Sequence, residues 1–82
     1  METTIMAITI DPRSVFAPTV QEVLTKNGCI IKTRLGLHET SKDSCSERGL
    51  VLLQLNGSNE EISNLKDSLA SIEGVKVNTM TI

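Results

Sequence analysis

The sequence predicts an α+β domain in which four strands form one antiparallel sheet and two helices cover one face of it, in the order βαββαβ. Three observations carry this. Four β-rich stretches alternate in apolar character, two stretches between them repeat at helical spacing, and turn signals separate each from the next.

Thr3 to Ile10 opens the chain with Met6, Ile8 and Ile10 alternating against Ile5, Ala7 and Thr9. Both faces are apolar or neutral, as a central strand requires. Asp11-Pro12-Arg13-Ser14 follows as a turn in which Asp11 or Ser14 can cap the coming helix. Phe16, Val20, Val23 and Leu24 fall on one helical face, and Asn27-Gly28 ends the helix. Pro18 deletes a backbone donor, so the helix is expected to start no earlier than Ser14, with Pro18 near its first turn.

Ile30 to Glu39 reads as the second strand, with Ile31, Thr33, Leu35 and Leu37 on one face and Lys32, Arg34, Gly36 and His38 on the other. Thr40 to Arg48 is polar and aperiodic, which predicts a long connection. Gly49 to Asn56 returns as the third strand. Ser58-Asn59-Glu60-Glu61 is a capping box, and Ile62, Leu65, Leu69 and Ile72 make the stripe of a second helix that Gly74 ends. Val75 to Ile82 alternates as the last strand. Asn56-Gly57-Ser58 matches a glycosylation acceptor and reads as a turn.

This order gives a ferredoxin-like sheet with both helices on one side and the other side uncovered. Ile31, Leu35, Val51, Leu53, Val75 and Val77 are expected to face the helices. The open face then carries Lys32, Arg34, His38, Leu50, Leu52, Gln54, Lys76, Asn78 and Met80. Leu50, Leu52 and Met80 form a patch that a symmetry mate would bury. With 82 residues the chain is a single domain, residues 1–82. A domain of that length buries only roughly 60–65% of the surface its unfolded chain exposes, which favours help from a homo-oligomeric partner, a dimer or tetramer.

Composition excludes several functions. The formal net charge of -2, with Lys and Arg dispersed, and Phe16 as the single aromatic leave no basic footprint and no stacking platform for direct nucleic-acid binding. No apolar run approaches a membrane span and no leader pattern precedes the first strand, so a soluble, cytoplasmic protein is expected. Cys29 and Cys45 lack Cys-x-x-Cys spacing and read as ordinary small side chains.

The run Asp11-Pro12-Arg13-Ser14-Val15-Phe16-Ala17, with Val20, Val23-Leu24, Asn27-Gly28 and Ile30-Ile31, resembles the opening of ACT domains. Ile72-Glu73-Gly74-Val75-Lys76-Val77 is similar to their closing helix-to-strand step. Through Arg34-Leu35-Gly36-Leu37 and Gly49-Leu50-Val51 the chain also resembles small stand-alone ACT-like regulators of the iron-only hydrogenase system. Those are relatives in fold of the nickel-sensing domain of nickel-responsive repressors. The resemblance covers nearly all of residues 4–82 and implies a regulatory, oligomeric, ligand-binding role exercised through a partner protein. Ser14 stands where amino-acid-binding ACT domains place Gly, and its side chain argues against that ligand class at this turn.

Candidate ligand contacts are Asp11, Arg13 and Ser14 in the first turn, and Lys32 and Arg34, whose charges could hold a carboxylate or phosphate. The bland alternatives are turn formers and a solvated face. His38 and Cys45 are the one pair with metal-ligand chemistry. Nickel-sensing relatives take ligands from similar positions, so a divalent metal would need donors shared across a subunit interface; otherwise no cofactor is expected. No nucleophile is paired with a base by any motif, and no phosphate-cradling loop follows the first strand, so the chain reads as a non-enzyme. A rival reading is a ligand-free interaction module that docks a polypeptide on the open sheet face.

Overall fold

A computed structural model describes residues 2–40 and 45–82, with side chains at 37–40 and 45–47 outside the described set. Its elements run β1 (Thr4–Ile10), α1 (Arg13–Lys26), a single 3-10 turn (Gly28–Ile30), β2 (Ile31–Thr40), β3 (Cys45–Leu55), α2 (Asn59–Ala70) and β4 (Val75–Thr81). The four strands form one antiparallel sheet in the order β2-β3-β1-β4, so β1 is central, as its two-sided apolar pattern requires.

β1 carries the core. Met6, Ile8 and Ile10 are buried, and the register sets Met6 beside Leu53 and Ile8 beside Val51 and Val77. Val20 and Leu24 of α1 and Leu65 and Leu69 of α2 close over them in the same cluster, with Phe16, Val23, Ile62 and Ile72 packed at its margin. Both helices therefore cover one face, and the predicted apolar stripes are the ones buried.

The helix ends differ in how they are made. At α2 the capping box is complete: the Glu61 amide donates to Ser58 Oγ at 3.1 Å, and the Ser58 amide donates to Glu61 Oε1 at 2.9 Å. At α1 neither Asp11 nor Ser14 is the cap. Pro12 is the N-cap, without a side-chain bond, after a cis Asp11-Pro12 peptide. The helix begins one residue earlier than expected, at Arg13, which puts Pro18 in its second turn with its ring exposed to solvent. At the far end Asn27 Nδ2 donates to the Val23 carbonyl at 2.8 Å and closes the helix.

Gly74 joins the two halves. Its φ is +81°, a region that disfavours side chains, and a Cβ there would lie 2.5 Å from both the Asp11 carbonyl oxygen and the Phe16 ring. The Asp11 amide donates to the Gly74 carbonyl at 2.9 Å, so the β1–α1 and α2–β4 turns are pinned to each other.

Two expectations for the hairpin fail. β3 begins at Cys45, which pairs with Thr40 beyond a register irregularity that follows His38, so residues 45–48 are strand and not connection, while residues 41–44 lie outside the described set. Polar side chains did not prevent pairing, because a two-stranded ladder is held by backbone bonds that any such residue supplies. The second failure is one of phase. Between Ile31 and Thr33, β2 advances two residues while β3 advances one, from Leu55 to Gln54. This β-bulge at Lys32 turns Thr33 and Leu35 to the open face and Arg34 to the helix side, and a second irregularity lies between His38 and Thr40.

The bulge follows from β2's place at the sheet edge. The helices pack chiefly on β3, β1 and β4. Ile31, opposite buried Leu55, still reaches the core margin. Beyond it, turning apolar side chains toward the helical layer would gain little burial. Leu35 instead pairs with Leu52 on the open face and is 51% exposed, while Arg34 stands opposite buried Leu53 on the helix side.

Gly74→Ala is expected to lower stability by about 1–3 kcal/mol, from the left-handed backbone and the overlap together, read as a fall in urea midpoint at unchanged slope. Ser58→Ala should cost about 1 kcal/mol by the same measure. The Ser58 amide, bonded to the Glu61 carboxylate, holds that carboxyl below its ordinary value of 4.5. A depressed folded value means its stabilisation is complete above about pH 4.5 and is lost as pH falls through the folded value. The stability gap between wild type and Glu61→Gln should accordingly be open at neutral pH and closed in strong acid.

Candidate functional site

The register sorts the open face into rows. Thr33, Gln54, Ile5 and Met80 form one, Leu35, Leu52, Ala7 and Asn78 the next, and Leu50, Thr9 and Lys76 a third. The two middle rows combine Ile5, Ala7, Leu35, Leu52 and Met80 with the uncharged polar residues Thr33, Gln54 and Asn78. A shallow depression of about 380 Å³ lies over Ile5, Ala7, Leu52, Asn78, Thr79 and Met80. Thr33 Oγ1 donates to Gln54 Oε1 at 3.3 Å, so part of the polar content is satisfied within the face itself.

Charge collects at the end of the face where β1 runs into the first turn. There Thr9, Asp11, Arg48, Gly74, Val75 and Lys76 surround an open cleft of about 520 Å³. β3 delivers Arg48, one residue before the buried Gly49 that pairs with Ile10. β4 delivers Lys76 opposite Thr9. The Asp11–Gly74 bond fixes the floor, since it ties together the two turns that line it. Two cations and one carboxylate around a solvent-open cleft can hold a small anion, a carboxylate or phosphate, by charge-assisted hydrogen bonds.

Of the predicted ligand contacts, Asp11 lines this cleft. Arg13, the first residue of α1, is half-buried on the helix side, and its Cβ and Cδ lie 3.5 and 3.6 Å from where Gly49 would carry a Cβ. Ser14 is exposed on α1. The expected Lys32–Arg34 pair on the open face does not form, because the bulge puts Lys32 at the irregularity and Arg34 opposite Leu53. His38 pairs in register with Gly49, on the row of Ile10. Cys45 pairs with Thr40, and the side chains of His38 and Cys45 lie outside the described set. Among the described residues no group of three or more His, Cys, Asp or Glu side chains gathers. Leu50 and Leu52 are half-buried on the open face and Met80 is 57% exposed there.

Sequence reasoning missed Arg48, which it placed in a loop, and used Lys76 only as a face marker. Their signal was positional: each stands at the end of a strand that pairs with β1.

No protein-family model and no curated protein matches this chain. Solved structures do. Uncharacterized protein TM1266 from Thermotoga maritima superposes with a TM-score of 0.83 at 24% identity, covering 100% of this chain and 99% of that one. The ACT domain from GTP pyrophosphokinase of Chlorobium tepidum gives 0.63 at 18% identity, over 98% of this chain and 85% of that one. CPII from Thiomonas intermedia, a nitrogen regulatory PII-like protein bound to ADP, AMP and bicarbonate, gives 0.61 at 11% identity, over 100% of this chain and 93% of that one. The fold is ACT-like. No helix among the described residues is long and apolar enough to cross a membrane.

Proposed function

We propose that this chain is a non-catalytic regulatory domain that self-associates and binds a small anionic ligand in the cleft between Arg48, Lys76 and Asp11. The ligand-dependent change is passed to a partner protein, a reading supported by the net charge of -2 and the single aromatic residue, which suit no direct nucleic-acid contact. The observation that carries the reading is the cleft: cations from two different strands line it at the end of a sheet face whose two middle rows hold no ionised residue, beside two turns locked together. The ACT-like fold supports it, as does the fact that CPII, of similar fold, holds ADP, AMP and bicarbonate. The resemblance to small regulators of the iron-only hydrogenase system points to the same class of role.

A second reading has its own observation. The apolar middle of the open face suits a polypeptide without any small ligand, which makes the chain a docking module.

A thermal-shift screen separates the two. Metal-stripped protein is heated with carboxylates, phosphates, adenine nucleotides, bicarbonate and divalent metals, read by an extrinsic dye because the chain has no Trp or Tyr. A ligand present at 100 times its Kd stabilises by about 2.7 kcal/mol, which in a domain of this length raises Tm on the order of 10 °C. Such a rise with one anion is expected, together with its loss in Lys76→Ala and Arg48→Ala and its retention in Arg34→Ala. A flat response across the panel would leave the docking module as the function.

A further inference from the structure

We propose that the open sheet face is the self-association surface, on which a second copy of this chain packs sheet against sheet with Leu35 inside the contact. The inference rests on the oligomeric part of the reading above and identifies the surface that performs it.

The bulge at Lys32 is the first argument. Had β2 kept its phase, Leu35 would stand on the helix side and the open face would lose an apolar residue at its edge. With the bulge, Leu35 lies opposite Leu52 and extends the apolar row across β2, β3 and β1 to Ala7, while Ile5 and Met80 widen it on the next row. Leu35 is 51% and Met80 57% exposed in the single chain, a cost that a packed partner removes.

The placement of charge favours the contact, and Asn78 is the exposed amide that a partner would have to satisfy. Arg48, Asp11 and Lys76 all sit at one end, so the middle rows carry no ionised group that stacking would desolvate. Gln54 Oε1 already accepts from Thr33, which lowers the cost of covering that pair.

Size selects the occupant. Strands about 4.8 Å apart, rising about 3.4 Å per residue, give a four-stranded face of roughly 400 Å² in projection, so two stacked faces bury on the order of 1,000 Å² of accessible surface. That reaches the lower limit for a specific interface. A single extended peptide or helix would cover only part of the same rows and leave either Leu35 or Met80 wet, whereas a flat sheet of equal width covers both.

Sedimentation velocity with interference optics tests this on the full chain over a wide range of concentration. Wild type should move from monomer to at least twice the monomer mass. Leu35→Lys and Leu52→Lys should remain at monomer mass with unchanged far-UV circular dichroism. Val15→Lys, at a residue 60% exposed on α1, should associate as wild type does. A wild type that stays monomeric throughout, or lysine variants that associate undiminished, would overturn the proposal. Unfolding of Leu35→Lys would also overturn it, because that would make Leu35 a core residue. The anion panel run on the same samples keeps the two readings apart. An anion-induced shift in a monomeric wild type ends this proposal alone, and association with no anion response ends the ligand reading alone.

Discussion

Two helices cannot cover both sides of a four-stranded sheet, and this constraint governs the rest of the molecule. The chain concentrates its helical burial on one side, where Met6, Ile8 and Ile10 meet Val20, Leu24, Leu65 and Leu69. The other side receives what remains of β1 and β3, and most of those residues are also apolar: Ile5, Ala7, Leu50 and Leu52, beside Thr9 and Gln54. An antiparallel sheet with one solvated face commonly alternates apolar residues toward the core with polar ones toward water, so the apolar residues that β1 and β3 carry on both faces leave a bare apolar surface behind the core. The proposed self-association would cover that surface, and the cleft proposed for the ligand lies at its edge.

The cleft is coupled to the core through its floor. Gly74, with its left-handed backbone, allows the α2–β4 turn to approach Asp11 and Phe16. The Asp11–Gly74 hydrogen bond then joins strand β1, helix α1 and strand β4 at one point. A ligand seated against Arg48 and Lys76 would touch elements whose relative positions this junction already fixes. Little ordering is left to occur on binding, which favours affinity. It also places any ligand-driven change next to the open face, where a second copy would register it.

Much of the fold was legible because periodicity and caps agree. The period-two pattern in β1 and β3, the stripe Ile62, Leu65, Leu69 and Ile72, and the capping box at Ser58 each point to one conformation, and all are present. The faces of β2 were illegible for a specific reason. Ile31, Leu35 and Leu37 are all apolar at odd positions, so an alternation count reads the same before and after a one-residue bulge. Nothing in the strand's own composition marks Lys32 as the extra residue. The reason lies in tertiary structure, in the helical layer stopping short of the edge strand. The candidate site suffered from the same cause: Lys32 and Arg34 were paired by counting, while Arg48 was lost because polar residues 45–48 look like a loop until their partners in β2 are known. Asp11, which lines the cleft, stands in a turn after a central strand, a feature visible locally in the sequence.

The claim that the bare face is covered by a second copy has a thermodynamic consequence that needs no variant. A native state held in part by association gains stability by mass action, whereas a monomer's stability is independent of concentration. The direct measurement is the urea midpoint of the wild-type chain as a function of protein concentration. The account predicts a midpoint that rises steadily as concentration rises. A midpoint that does not move over the accessible range would contradict it, and would mean that the apolar face stands in water in the native protein.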